Sequence, residues 1–222
     1  MPPPIPLIGI IIGTVREGHF GEEHERWIYE IASQRTNLAI ELIDLREHNP
    51  PFLDGRQPAI SADLKIQAAQ RWADRLSPLD GVIVVIREYG HGASTELEKA
   101  LHLAGQQLAR KPIGFVGYGG IGSAIGQLRR IAIGLQMVPV RTAVRIGISE
   151  FNGIRQQGKT FNDYPFLAHA IIELLDNLAW WAQALKPPRE TRWPATTQLS
   201  THYCPLLQGK LAWPNNAIDE PR

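Results

Sequence analysis

The hydrophobic positions of this chain follow two rhythms. Short β-branched apolar runs appear at Leu7 to Ile12, Val82 to Ile86 and Ile113 to Val116, and each is followed by a stretch whose apolar residues recur every third or fourth position. A run without polar alternation marks a strand covered on both faces, the habit of parallel sheets. Leu38 to Leu45 and Val138 to Ile146 alternate partly and complete a set of five strands. The helical period predicts helices over Glu22 to Ser33, from an N-cap at Ser61 to Leu76, from Thr95 to about Leu108, from Ser123 to Leu135, and from Pro165 to about Ala184. Leu64, Ala68, Trp72 and Leu76 form one predicted stripe, with Trp72 read as core, and Leu97, Leu101, Ala104 and Leu108 form another. Thr95 and Glu98 fit a capping box. Arg46 to Ile60 carries Pro50, Pro51, Gly55 and Pro58 and predicts an irregular connection, as do Gly153 and Arg155 to Gly158.

Five strands alternating with five helices predict a three-layer α/β fold with a five-stranded parallel sheet and right-handed crossovers. With strand order 2-1-3-4-5, the order reverses between strands one and three, and ligands bind outside the carboxyl ends of the strands at such a point. That order brings the turn Thr14 to Gly21 beside the turn Arg87 to Ser94, with the glycine turn after Gly117 next in line.

Composition sharpens this picture by exclusion. The chain has 222 residues, 44% hydrophobic and 20% charged, with a formal charge of +1, enough for one sizeable core. We expect that core in residues 1–186, with 187–222 as an arm that has too few apolar residues for a core of its own. The paired Trp180 and Trp181 and the aromatics of the arm suit packing on a second subunit. The near-neutral charge offers no field for nucleic acid or a membrane surface. Cys204 is the single cysteine, which excludes an intramolecular disulfide and fits a cytoplasmic setting. No metal spacing joins His24, His48, His102 or His169 to nearby carboxylates, and the nucleophile-elbow pattern of hydrolases is absent.

Three turns carry the candidate chemistry. Gly13-Thr14-Val15-Arg16-Glu17-Gly18-His19-Phe20-Gly21 follows a strand and opens a helix, so backbone N–H groups, the Thr14 hydroxyl and Arg16 can face an anion. The same glycines would also serve a plain tight turn. Arg87-Glu88-Tyr89-Gly90-His91 closes the third strand, and Gly117-Tyr118-Gly119-Gly120-Ile121-Gly122 closes the fourth. The glycine spacing of the latter touches the dinucleotide fingerprint, but it follows the wrong strand, and Arg141 and Arg145 stand where an acidic residue is wanted.

Together these turns resemble those of the NADPH-dependent FMN reductase family of flavodoxin-like flavoproteins. Gly13-Thr14-Val15-Arg16-Glu17-Gly18 resembles its Gly-Ser-x-Arg phosphate loop, and Arg87-Glu88-Tyr89-Gly90-His91 its Pro-Glu-Tyr-Asn turn, with Leu97 and Ala100 at the matching helix positions. Lys111-Pro112, Gly119-Gly120-x-Gly122 and Gln127-Leu128-Arg129 resemble its third flavin loop. The resemblance covers about Ile8 to Gly147. It implies an FMN-dependent oxidoreductase that takes hydride from NADPH or NADH and passes electrons to a quinone, free flavin or other small acceptor in ping-pong fashion, as a homodimer or homotetramer. It further implies that Thr14, Arg16, Gly18, His19 and Phe20 hold the FMN phosphate. Arg87, Glu88, Tyr89 and Gly90 would lie along the isoalloxazine, and Tyr118, Gly119 and Gly120 at its other edge. By its position alone, His91 would lie over the ring or donate a proton to an acceptor. Arg87 stands where the family has Pro, Gly90 where it has Asn, Glu98 for Lys, Lys99 for Asn and His19 for Ser, and Glu22 and Glu23 follow the phosphate loop. The alternative those departures raise is a relative with altered or lost flavin binding that acts as a ligand- or partner-binding protein.

Overall fold

The computed structural model of the protein describes residues 4–13, 21–48, 59–120 and 122–190. Its strands are β1 (Leu7–Ile12), β2 (Ala39–Asp44), β3 (Gly81–Arg87), β4 (Pro112–Tyr118) and β5 (Val138–Ile146). They form one sheet in the order β2-β1-β3-β4-β5 with every neighbouring pair parallel, the flavodoxin-like topology expected from the sequence. The helices are α1 (Gly21–Ser33), α2 (Leu45–His48), α3 (Ala59–Leu76), α4 (Thr95–Leu103), α5 (Gly105–Leu108), α6 (Ser123–Gly134), α7 (Ile148–Gln156) and α8 (Pro165–Glu190).

The unbroken apolar runs are explained by what covers them. Successive strand residues point to opposite faces, so Val82, Val84 and Ile86 of β3 join a core with Trp72, Leu97, Leu101 and Leu128 from α3, α4 and α6. Ile83 and Val85 join a second core with Ile28, Phe151, Ile171 and Leu174 from α1, α7 and α8. Both faces of β3 are therefore dry, and each large aliphatic side chain so buried contributes about 1.5–3 kcal/mol. Trp72 is core, as read from its stripe: it is fully buried and its indole N–H donates to the Ala100 carbonyl at 2.7 Å.

Several boundaries and contacts differ from the expectations. Ser94, not Thr95, caps α4, its hydroxyl accepting from Leu97 N at 3.2 Å, and Glu98 is taken by the amide of Gln127. Leu64 is 63% exposed and lies off the buried stripe of α3. The stretch through Gly153 and Arg155, expected as loop, is helix α7, because Gly153 is buried where the Tyr164 hydroxyl crosses it and leaves no space for a Cβ. Helix α8 continues past the expected end near Ala184, through Pro187 and Pro188, to Glu190.

The reason for that continuation lies at the amino rim of the sheet. The Asp80 carboxylate, 5% exposed just before β3, accepts from Leu7 N at 3.0 Å, Lys186 Nζ at 2.8 Å and Arg189 Nη2 at 2.7 Å. Those two ion pairs hold the last turns of α8 against the sheet across the prolines. Beside them the buried Lys111 ammonium donates to the carbonyls of Leu76 and Ser77 at 3.0 and 2.7 Å. Burial, with the nearby Arg189 charge adding to it and Asp80 opposing, pushes Lys111 from its ordinary value of 10.5 down to about 8.

Candidate functional site

The carboxyl ends of β1, β3 and β4 lie side by side, since Ile12 pairs with Val85 and Arg87 with Tyr118. The chain leaving β1 is fixed at Gly13, whose N–H donates to the Val85 carbonyl at 2.9 Å and whose own carbonyl accepts from the Ser94 hydroxyl at 3.2 Å. One hydroxyl thus caps α4 and ties the β3 turn to the start of the β1 turn. Thr14, Arg16, Gly18, His19 and Phe20, the expected phosphate holders, lie outside the described residues.

The β3 turn is a two-residue hairpin. Tyr89 and Gly92 exchange both backbone hydrogen bonds, at 3.1 and 2.8 Å, with Gly90 and His91 between them at φ +50° and +64°. Two successive positive φ values are the signature of the primed turns, whose twist suits the flanking chain. Gly90 adopts this conformation freely, whereas His91 does so against its Cβ. The turn therefore holds a glycine and an exposed imidazole at its tip, and the His91 ring stands 3.8 Å from the Glu88 carboxylate.

Glu88 fastens the β3 turn to the β4 turn. Its N–H donates to the Tyr118 carbonyl at 3.0 Å, and its carboxylate accepts from Gly122 N at 2.9 Å and Ala124 N at 3.2 Å, at the N-terminus of α6. A carboxylate there satisfies amides that the helix itself cannot and sits favourably in the helix dipole. With the side chain 6% exposed and committed to α6, what Glu88 can offer a ligand is main chain. Its approach requires Gly120: a Cβ built on that residue would lie 2.6 Å from the Glu88 Cβ and closer still to its carboxyl. Gln127 adds a second tie, accepting from Ala93 N at 3.1 Å while its amide donates to Glu98. Gln127 was legible only as a motif position, and its bridging role depends on α6 lying beside the β3 turn.

Two of the predicted aromatic and charged residues take defined places beneath the turns. Arg87 ends β3 with its guanidinium 4.7 Å from the Tyr89 ring centre and 5.7 Å from that of Phe151, a cation set between two aromatic faces. Tyr118 ends β4 on the face toward α1, α7 and α8 and is 2% exposed, stacked on His24 at 4.6 Å. Its expected place at the ring edge is therefore open to its main chain alone. Burial, helped by Glu25 and opposed by Arg87, raises the Tyr118 phenol, so it stays neutral. Gly119 follows at φ +75° with its N–H on the Ile146 carbonyl at 3.2 Å.

The described part of the rim is thus a shelf of turns with glycines at Gly90, Gly119 and Gly120, braced from below by Glu88, Gln127 and Ser94, with a fixed cation at Arg87. A flat heteroaromatic ring would suit such a shelf, because backbone rather than side chains would meet it, and a fixed cation could offset charge that such a ring gains on reduction.

Comparison with known proteins agrees with this fold. The family model described as NADPH-dependent FMN reductase matches residues 6–150. An NAD(P)H-dependent FMN reductase of Schizosaccharomyces pombe is 28% identical over 136 residues, 60% of this chain and 68% of that protein. A second NAD(P)H-dependent FMN reductase, from a Nectria species, is 26% identical over 119 residues, 50% of this chain and 59% of that one. Among solved structures, FerB of Paracoccus denitrificans, a flavoenzyme NAD(P)H:(acceptor) oxidoreductase, superposes with a TM-score of 0.63 over 82% of this chain and 99% of that chain, at 16% identity, a likeness of fold. The matched span contains all three turns at the carboxyl rim, and the chain belongs to the NADPH-dependent FMN reductase family, a family of oxidoreductases.

Proposed function

We propose that this protein binds FMN on the carboxyl rim and works as a cytoplasmic NAD(P)H oxidoreductase, reducing a quinone, free flavin or other small acceptor in ping-pong turns. The observation that supports this most is the joining of the β3 and β4 turns through Glu88, which leaves Gly90, Gly119 and Gly120 as the approach to the rim. The redox chemistry at such a site is the flavin's: hydride acceptance from the nicotinamide and delivery of electrons to the second substrate. The chain's own residues bind and orient. Thr14, Arg16 and the amides of Gly18 to Phe20 are proposed for the phosphate, and the main chain of Glu88, Tyr89, Gly90, Tyr118, Gly119 and Gly120 for the ring. Arg87 supplies positive charge close by, and the exposed His91 is placed to give a proton to an acceptor at the mouth.

Assembly as a homodimer or homotetramer belongs to the same reading. Trp180, 63% exposed and edge-on to Trp181 at 4.9 Å, gives α8 an aromatic patch suited to a second copy. Steady-state oxidation of NADPH and NADH by the protein with one equivalent of FMN, with a benzoquinone as acceptor, tests the proposal. Parallel lines in double-reciprocal plots are the expected result. A protein that oxidises neither nucleotide under these conditions would refute it.

A further inference from the structure

Helix α7 and the 3₁₀ turn Phe161–Asp163 lie almost wholly beyond the family match, which ends at residue 150. They are nonetheless packed under the carboxyl rim. The Gly119 N–H donates to the Ile146 carbonyl at 3.2 Å, and Gly147 then caps α7 and accepts from Phe151 N at 2.9 Å, so the helix starts directly beside the β4 turn. This brings the Phe151 ring, 6% exposed, into the core shared by α1, α7 and α8. There it meets a group from each of three elements that adjoin the rim turns. Phe151 lies 5.9 Å from His24, in the first turn of α1, 6.0 Å from Tyr118 at the end of β4, and 5.7 Å from the Arg87 guanidinium at the end of β3.

Of these contacts, the one to Arg87 decides how the β3 turn is held. Arg87 forms no ion pair with a described carboxylate, and its half-buried guanidinium rests on ring faces, that of Tyr89 at 4.7 Å and that of Phe151. Tyr89 belongs to the turn and moves with it. Phe151 is packed in the core, so it is the fixed side of the sandwich. Arg87 also stands where the family has Pro, and the ring that receives it comes from outside the family match. A proline would stiffen that position through its fixed φ. With an arginine there, the stiffness has to come from a contact.

We propose that Phe151 is a positioning residue for the flavin shelf: it pins the Arg87 guanidinium against the Tyr89 ring and so holds the β3 turn in the shape that receives the isoalloxazine. This rests on the FMN reading above and adds to it the residue that preorganises one edge of the shelf, since a binding group is only as well placed as the side chains packed behind it.

The contact is read first without flavin, in proton–nitrogen correlation spectra of the full chain. The Arg87 Nε–H resonance, assigned by its loss in Arg87→Met, is expected apart from the other arginine signals, because two ring currents act on it, and should move toward them in Phe151→Leu. It should stay in place in Phe151→Tyr, which keeps a ring face, and in Arg155→Gln, which removes the other guanidinium near Phe151, at 6.0 Å. FMN titration supplies the second reading. Phe151→Leu should weaken FMN binding about fivefold, the scale of one partly desolvated cation–ring contact, with Phe151→Tyr and Arg155→Gln near wild type. In an Arg87→Met background the same Phe151→Leu change should cost less than about twofold, since residues that act through one contact are not additive. An Arg87 resonance unmoved by Phe151→Leu overturns the proposal, as does undiminished FMN affinity in that variant. Equal losses in both backgrounds, or an equal loss in Arg155→Gln, also overturn it, because a general loosening of α7 would then be responsible. A protein that takes up no FMN but shows the shifted Arg87 signal, and loses it in Phe151→Leu, supports the pinning of the β3 turn by Phe151 and removes the flavin reading instead.

Discussion

The two ends of the sheet solve opposite problems with similar residue types. At the amino rim, charged side chains are neutralised by each other: Asp80 is saturated by Leu7 N, Lys186 and Arg189, and Lys111 spends its protons on two carbonyls. At the carboxyl rim, the charged groups brace turns from below or stand exposed. Glu88 holds the start of α6, while Arg87, His91 and Arg145 have no described carboxylate closer than the 3.8 Å between His91 and Glu88. One end is closed by its own charges and the other leaves donors and glycine backbone for something else. Charge burial alone therefore does not distinguish the two rims; incomplete neutralisation beside positive-φ turns does.

The strongest way to break this contrast is to remove the anion that closes the amino rim. Asp80→Ala leaves Lys186, Arg189 and Lys111 facing one another and should cost about 3–5 kcal/mol of stability, read from urea denaturation, because an uncompensated buried charge is left behind. The flavin affinity of the molecules that remain folded should be unchanged. A loss of flavin affinity equal to that from damage at the carboxyl rim would show that the two ends are not separate. Gly120→Ala is the corresponding injury at the other end. The added methyl forces the Glu88 carboxyl away from α6, and we expect a loss of about 1–3 kcal/mol of stability together with at least a tenfold loss of FMN affinity in a fluorescence titration.

Lys111 sharpens the comparison through pH. The unfolded chain keeps this lysine protonated up to its ordinary 10.5, and the folded one only to about 8. Between those values unfolding takes up a proton, so this group's contribution to stability rises as pH increases through the window. Lys111→Met should flatten the rise, measured as the difference in urea midpoint between pH 7.5 and 9.5. The smallest effect is expected at the tip of the β3 turn, where His91→Gly relieves the positive φ and should add up to about 1 kcal/mol. The same change should slow quinone reduction if the imidazole supplies a proton.

How much of this the sequence revealed follows from how local each cause is. Three unbroken apolar runs and two partly alternating stretches reported the five strands, and β5 begins and ends at the residues predicted for it, because even at the sheet edge its apolar and polar positions keep a strand's rhythm between two helical ones. The order of the sheet and the meeting of the β3 and β4 turns followed from general rules of α/β topology. Helix α7 was hidden because Gly153 reads locally as a breaker, and its true reason, the Tyr164 hydroxyl, lies eleven residues on. The extension of α8 through Pro187 and Pro188 was hidden for the same reason, since Asp80 is over a hundred residues away. Within the site, the positions of Glu88, Tyr89 and Gly90 were legible and their side-chain directions were not. Glu88 turns to α6 and Tyr118 into the core, outcomes set by packing partners that no single turn discloses.

The claim on which the account depends is that the glycine-lined carboxyl rim holds one FMN per chain. Titration of the purified protein with FMN, followed by flavin fluorescence and by the visible absorption spectrum, tests it directly. The account predicts quenching that saturates at one equivalent, a shifted and structured flavin band near the normal visible maxima, and loss of both in Gly120→Ala. Free-flavin fluorescence and an unshifted spectrum at all ratios, with a natively folded protein, would contradict it.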